Sequence, residues 1–168
     1  RIDELEDPEI AINRALETYL RKGYSESWVN QRLKSIEVRK ALTDEWDKGG
    51  IKKGLEYAIL TDEITKAWAG LTTKEYKQLK NLKKENLRDN MTNMELILNM
   101  LAEASTTEIA QGENPEGLEQ HKKVARRGGK VAAKARQELE SESKRPVVTS
   151  LNAKSLKKKQ IEEKEDAE

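Results

Sequence analysis

Residues 92–109 read TNMELILNMLAEASTTEI and form the one long stretch dense enough in large apolar side chains to be a core helix by itself. Thr92 followed three residues later by Glu95 is a capping-box pattern, in which hydroxyl and carboxylate satisfy free backbone N–H groups at a helix start. Apolar residues then recur at the spacing of one helical face: Met94, Ile97, Leu98, Leu101 and Ala102. The pattern predicts a central helix that other elements cover on several sides.

Three polar residues of this stretch, Glu95, Asn99 and Glu103, follow one another at a spacing of four. We expect them to form the polar stripe of the central helix, while Leu96 and Met100 lie off the main apolar face. The helix would then be a packing element rather than a methionine-lined ligand groove. We therefore predict that it organises the fold and carries no chemistry.

The composition of the 168-residue chain favours helices around a modest core. Charged residues make up 38% and hydrophobic residues 35% of the chain, which predicts a large solvated surface. Abundant Lys, Glu, Leu and Ala with few Gly and Pro favour helix over sheet. There is no cysteine, no apolar run of membrane-spanning length and no signal-peptide pattern, so we expect a cytoplasmic protein without disulfides. The chain does not begin with Met, which is compatible with a fragment or a processed piece.

Caps and apolar spacing predict four helices before the central one. They extend from Asp7–Pro8 to Gly23, over residues 26–48 after Ser25, over residues 55–68, and from Thr72 or Thr73 to Leu82. The glycines of GGIKKG at residues 49–54 lack the spacing of a phosphate-binding loop and predict a flexible connection. The fourth helix carries lysines that we expect on a solvated face, with phosphate contact as the alternative: Lys74, Lys77, Lys80, Lys83 and Lys84.

A basic block follows the central helix. Residues 91–119 contain six acidic and no basic residues, whereas residues 120–136 contain seven basic and no acidic residues. A helix predicted from Asn114–Pro115 leads into the block, and we expect Gly128–Gly129 to hinge it from a second helical run. The seven basic residues are Lys122, Lys123, Arg126, Arg127, Lys130, Lys134 and Arg136.

Two interpretations of the basic block stay open. In one, the block binds the backbone of a nucleic acid and bends at the diglycine to follow a groove. In the other, it pairs with the protein's own acidic segment 91–119 or is simply solvated. The block contains no aromatic residue, which disfavours a platform on which single-stranded bases stack.

Catalytic and metal-binding patterns are missing from the sequence. His121, the only histidine, stands among lysines, and we expect it to be exposed. No HExxH, GxSxG or nucleophile–base pattern occurs, and the many carboxylates lie on highly charged predicted helices. We therefore predict no enzyme activity, no catalytic residue, no metal, no cofactor, no small-molecule substrate and no membrane association.

Together these patterns predict an all-α fold of about six to eight helices around the apolar helix 92–109. We expect residues 1–145 to form one helical domain. Residues 146–168 are expected to hold a short extended piece at Val147–Val148, a terminal helix after Ser150, and a flexible, disordered charged tail.

Several collinear stretches of the sequence resemble one known family. The stretches are residues 1–46, 52–110, 122–136 (KKVARRGGKVAAKAR) and 146–153 (PVVTSLNA). They resemble the region that follows the Bro-N domain in bacterial and phage-type Bro-N proteins, a group that includes relatives of DNA damage-inducible protein D. The resemblance extends over residues 1–156, and it rests on long segments rather than on a short motif.

The resemblance implies a helical region downstream of a DNA-binding Bro-N domain of the kind found in viral and phage antirepressors. Such proteins are linked to mobile elements and to the DNA-damage response. The Bro-N domain itself is absent, and RIDELEDPE at residues 1–9 would correspond to its C-terminal edge. The chain is therefore not expected to read DNA sequence by itself, and the family supplies no catalytic residue.

We therefore predict the non-catalytic regulatory region of an antirepressor-like or DNA damage-inducible protein D-like factor. It would bind a regulatory protein partner, or associate with itself, to act in DNA-linked regulation. The alternative is a nucleic-acid-binding module that uses the basic block at residues 120–136.

Overall fold

The computed structural model of the protein describes residues 8–153 and 166–167. Within these residues the chain is helical and has no strand, which confirms the predicted all-α fold. Six α-helices follow one another in this part of the chain: α1 Pro8–Arg21, α2 Glu26–Lys48, α3 Leu55–Ala69, α4 Thr73–Leu79, α5 Asn93–Glu113 and α6 Gly117–Ser143. A 3₁₀ turn at Arg88–Asn90 precedes α5. Most of the predicted terminal helix and charged tail falls on residues 154–165 and 168, which lie outside the described residues.

Side-chain caps begin α2 and α5 at the residues that the sequence predicted. Thr92 and Glu95 form the expected capping box on α5: the Thr92 hydroxyl accepts from the Glu95 N–H at 3.3 Å, and the Glu95 carboxylate accepts from the Thr92 N–H at 3.0 Å. Ser25 caps α2 with its hydroxyl alone, which accepts from the Trp28 N–H at 3.3 Å. Asn114 does not begin α6 as predicted, because it closes α5 in the left-handed conformation and α6 begins at Gly117.

The core gathers the three tryptophans, none more than 1% exposed, with the buried ring of Tyr76. Helix α5 packs on α2 and α6, and α6 also packs on α3. The Trp28 indole on α2 donates to the carbonyl of Met91 just before α5, and Arg39 further along α2 contacts Glu103 on α5. The later residue of α2 contacts the later residue of α5, so the two helices run in the same direction.

The predicted hinge at the diglycine is wrong, because α6 runs unbroken through Gly128 and Gly129. The glycines instead mark the point where α6 crosses two neighbours. A Cβ on Gly128 would lie 2.0 Å from the hydroxyl and 2.7 Å from the backbone nitrogen of Thr106 on α5. A Cβ on Gly129 would lie 2.5 Å from the Cβ of Ala67 on α3. Only residues without a Cβ permit this close approach of three helices.

The faces of α5 also differ from the prediction. Met94 and Leu101, predicted to face inward, are 39% and 37% exposed. Glu95, Asn99 and Glu103, predicted as the polar stripe, are at most 3% exposed. The reason is that each buried polar side chain meets charged or hydrogen-bonding partners from other elements, which the spacing within one helix does not reveal.

We predict that Gly128→Ala lowers the free energy of unfolding by about 1–3 kcal/mol or more, because the new methyl group would overlap the backbone of Thr106. The matched control is Gly112→Ala on α5, where a Cβ would meet nothing within 4 Å and helix propensity favours alanine. Urea denaturation of both variants tests the crossing. An equal, small effect in the two would contradict the close packing of α6.

Candidate functional site

All seven basic residues of the predicted site lie on α6, and three of them form an exposed stripe. Lys123, Lys130 and Lys134 are exposed and have no ion-pair partner within the described part of the chain. Their spacings of seven and four residues are close to whole helical turns, so they share one face of the helix. We call these three residues the basic stripe.

The other four basic residues of the block are ion-paired within the protein. The pairs are Lys122–Glu119 (3.2 Å), Arg126–Glu63 (2.8 Å), Arg127–Glu113 (2.7 Å) and Arg136–Glu140 (3.1 Å). Glu113 and Glu119 belong to the acidic segment 91–119, so part of the segregated charge is neutralised between neighbouring segments. The hydrogen bond from Arg126 lowers the pKa of the Glu63 carboxyl, as a paired carboxylate requires.

A buried polar network surrounds Glu103 at the middle of α5. Its carboxylate accepts from Arg39 at 3.1 Å and from Asn99 at 2.9 Å, and it forms an ion pair with Arg88 at 2.9 Å. The Asn99 amide oxygen in turn accepts from the Trp68 indole at 3.2 Å. The network therefore connects α5 to α2, to α3 and to the segment before α5.

A second buried pair lies at the start of α5. Lys80 was predicted on a solvated face, and this is wrong: it is 5% exposed, and its ammonium donates to Glu95 at 2.7 Å. It also donates to the carbonyls of Thr149 and Leu151, and so holds the segment after α6 against the core. Tyr76 donates its hydroxyl to the same carboxylate, and burial with Glu95 beside it raises the pKa of that tyrosine. Both residues thus serve packing.

His121 was predicted to be exposed, and the structure shows it 1% exposed at the junction of α6 with the end of α2. A Cβ on Gly49 would lie 2.1 Å from its Nε2 atom, so the glycine makes room for the ring. Neither ring nitrogen makes a hydrogen bond of regular geometry among the described residues, although the backbone of Pro115 lies beside the ring and favours its protonated form. Burial lowers the pKa of the imidazole, which is therefore neutral in the folded protein at pH 7.

Sequence reasoning did not single out Arg39 or Arg88. Arg39 and Glu103 are 64 residues apart in the chain, a distance over which helical periodicity carries no information. The available signal was the spacing of Glu95, Asn99 and Glu103, which is typical of a buried polar row as much as of a solvated one. Over residues 8–153 and 166–167, no three His, Asp or Glu side chains are grouped to hold a metal ion. In the same part of the chain, no helix has the length and apolar character needed to cross a membrane.

We predict that Glu103→Gln lowers the free energy of unfolding by about 3–5 kcal/mol, because it leaves two largely buried guanidinium groups without their counter-charge. Glu108→Gln on the same helix is the control, since Glu108 is exposed and its replacement should leave the denaturation midpoint unchanged. Equal midpoints for the two variants in urea denaturation would contradict the role given to the network.

We predict that the protein loses stability as the pH is lowered from about 7.5 to 5.5, through the unperturbed histidine pKa of about 6.5. Below that pH His121 binds a proton in the unfolded chain but stays neutral in the folded protein, where it is buried. Proton binding therefore favours the unfolded state. Glu63, Glu75 and Glu85 have lowered pKa values. The stability that these ionised carboxylates contribute is therefore lost only at more acidic pH.

Denaturation at the two pH values measures this loss, and His121→Gln should reduce it. Because the chain has one histidine, its imidazole can be titrated by NMR without ambiguity. Titration of the folded protein at or above pH 6.5 would contradict the prediction.

Comparison with known proteins gives one match. The sequence profile described as the DinD C-terminal domain matches residues 25–161, which is most of the chain. No curated protein and no solved structure matches the chain. The matched range contains α2 to α6, and therefore the basic stripe and both buried networks.

Proposed function

Because the chain belongs to the DinD C-terminal domain family, we propose that it is the non-catalytic interaction domain of a DNA damage-inducible protein D-like factor. In this proposal the domain binds a protein partner, and DNA-linked regulation follows from that contact. The surface that binds is the basic stripe on α6, and the partner presents an acidic face.

The observation that carries the proposal is that some cations of the basic block are ion-paired within the protein and the others are not. Four of its seven cations already have a carboxylate partner, which leaves the three lysines of the basic stripe free to bind something else. The stripe extends over twelve residues of an unbroken helix, and its ends are about 17 Å apart at 1.5 Å per residue. A rigid row of three like charges suits an acidic protein surface of similar length.

An exposed apolar residue beside the stripe favours a protein over DNA. Val131 is 44% exposed and lies three residues before Lys134, so it is next to the stripe on the surface of α6. Protein interfaces combine an apolar contact with a charged rim, whereas backbone contacts to DNA rely on many cations. The short row of free lysines supplies few such contacts.

Nucleic-acid binding stays the second candidate, because three unpaired lysines on one helix face do attract phosphate groups. The slope of log affinity against log salt is about −0.9 per phosphate contact on duplex DNA. Three contacts give a slope of about −2.7, and seven contacts would give about −6. The slope therefore measures how many cations of the block act on DNA.

We predict that Lys123/Lys130/Lys134→Gln weakens partner binding at least tenfold, equivalent to about 1.4 kcal/mol, and slows association. The control replaces three exposed lysines elsewhere, Lys48/Lys52/Lys53→Gln, and should keep the affinity. The partner is first recovered by co-purification with the wild-type chain, and binding is then measured between purified proteins. Equal affinity for the two variants would place the interface elsewhere.

We predict that binding to a random DNA duplex is weak, with a salt slope no steeper than about −3. Arg126→Ala with Arg127→Ala should leave that slope unchanged, because both arginines are held by carboxylates. A salt titration with a labelled duplex gives the slope for wild type and variant. Tight binding with a slope near −6 would reject the protein-partner proposal and favour the nucleic-acid module.

A further inference from the structure

A cleft with a cavity volume of about 600 Å³ opens between α2, α3 and α4. A smaller cavity of about 250 Å³ extends it towards the 3₁₀ turn before α5. The two share four lining residues, Arg39, Thr61, Thr73 and Lys77, so they adjoin one another. We call the two adjoining cavities together the α2–α4 cleft. Its combined size is that of small-molecule sites in proteins, and no residue of α6 lines it.

The lining of the α2–α4 cleft is strongly positive. Its five cationic side chains are Arg39, Lys74, Lys77, Lys83 and Arg88. The lining contains one carboxylate, Asp62, and a second, Glu103, lies behind the wall. The cleft therefore has a surplus of three positive charges among the residues described.

The two carboxylates of this region already have hydrogen-bond or ion-pair partners within the protein. Asp62 accepts from the backbone N–H of Thr73 at 3.0 Å. Glu103 is shared by Arg39 and Arg88, so one buried negative charge serves two guanidinium groups. Glu85 lies beside Lys83 but its carboxylate accepts from the Lys83 backbone N–H and does not line the cleft.

Arg39 is held rigidly enough to act as a fixed donor at the inner wall. Its Nη1 atom donates to Glu103, and its Nη2 atom donates to the Thr61 hydroxyl at 2.7 Å. The guanidinium also stacks over the Trp46 ring, 4.8 Å from the ring centre. A guanidinium has five N–H groups, so these contacts leave donors available. A cation fixed in this way needs little ordering when an anion binds.

We propose that the α2–α4 cleft binds a small phosphate-bearing molecule. Arginine, lysine and threonine side chains around one concave space are the donors that recognise phosphate oxygens. A phosphate monoester carries about −1.5 to −2 charge at pH 7, which matches the surplus of the cleft better than a single carboxylate does. Ala58 and Leu82 add apolar lining for an organic group attached to the phosphate.

The inference is independent of the basic stripe, since it uses a different surface. It also gives a role to the lysines after Thr72, for which solvation and phosphate contact were both open from the sequence. Lys74, Lys77 and Lys83 line the cleft, whereas Lys80 is turned into the core. The lysine row is thus divided between a ligand surface and a packing contact.

The test measures binding of three probes to the 168-residue chain by calorimetry and by NMR at constant ionic strength: inorganic phosphate, pyrophosphate and adenosine monophosphate. We expect saturable binding that shifts the amide signals of Ala58, Thr61 and Thr73. Lys74→Gln with Lys77→Gln should weaken it at least tenfold, because two of the five lining cations are lost. Both lysines lie at the accessible wall, so this variant should retain its thermal midpoint.

The matched control is Lys48/Lys52/Lys53→Gln, which replaces three exposed lysines outside the cleft and outside the basic stripe and should bind the probes as tightly as wild type. Tighter binding of adenosine monophosphate than of phosphate supports a ligand with an organic group, and equal binding supports recognition of the phosphate group alone. Absence of saturable binding by all three probes would overturn the proposal. So would affinity unchanged in the Lys74/Lys77 variant or lost in the control.

Discussion

The buried carboxylate of Glu103 is the interaction on which the arrangement of the helices depends. It binds Arg39 of α2, Arg88 before α5, and Asn99, whose amide oxygen also accepts from Trp68 of α3. A buried charge that lacks its partners destabilises a fold by several kcal/mol, so these elements must dock in one register. The same contacts set two guanidinium groups in the wall of the α2–α4 cleft, and a packing requirement thereby prepares a positively charged surface.

Close packing at the diglycine extends this constraint to α6. Gly128 lies against Thr106 of α5, and Gly129 lies against Ala67 of α3, at distances that exclude any side chain. A bend of α6 at this point would separate it from both neighbouring helices. The basic stripe is consequently presented by a continuous helix of 27 residues rather than by a hinged arm. A continuous helical row of charges is compatible with one fixed partner surface.

The oppositely charged segments of the chain partly neutralise each other in the folded protein. Acidic 91–119 and basic 120–136 lie on adjacent helices, and pairs such as Arg127–Glu113 neutralise part of both. Exposed pairs of this kind contribute little stability, but they reduce the number of cations available to a partner. Two of the surfaces that stay positive are the basic stripe on α6 and the α2–α4 cleft. The proposed contacts to a protein and to a phosphate-bearing molecule use one each.

Caps and helical periodicity could be predicted from the residues alone, because the capping box of Thr92 with Glu95, or the cap at Ser25, joins groups within one turn of the same helix. The all-α class and the position of the central helix follow from such local signals. The residues alone could not predict the buried face of that helix, the role of Gly128 or the walls of the cleft. Glu103, for example, is buried by Arg39, which lies 64 residues away in the chain. Burial is a property of contacts between helices, and those contacts exist only when the whole chain has packed.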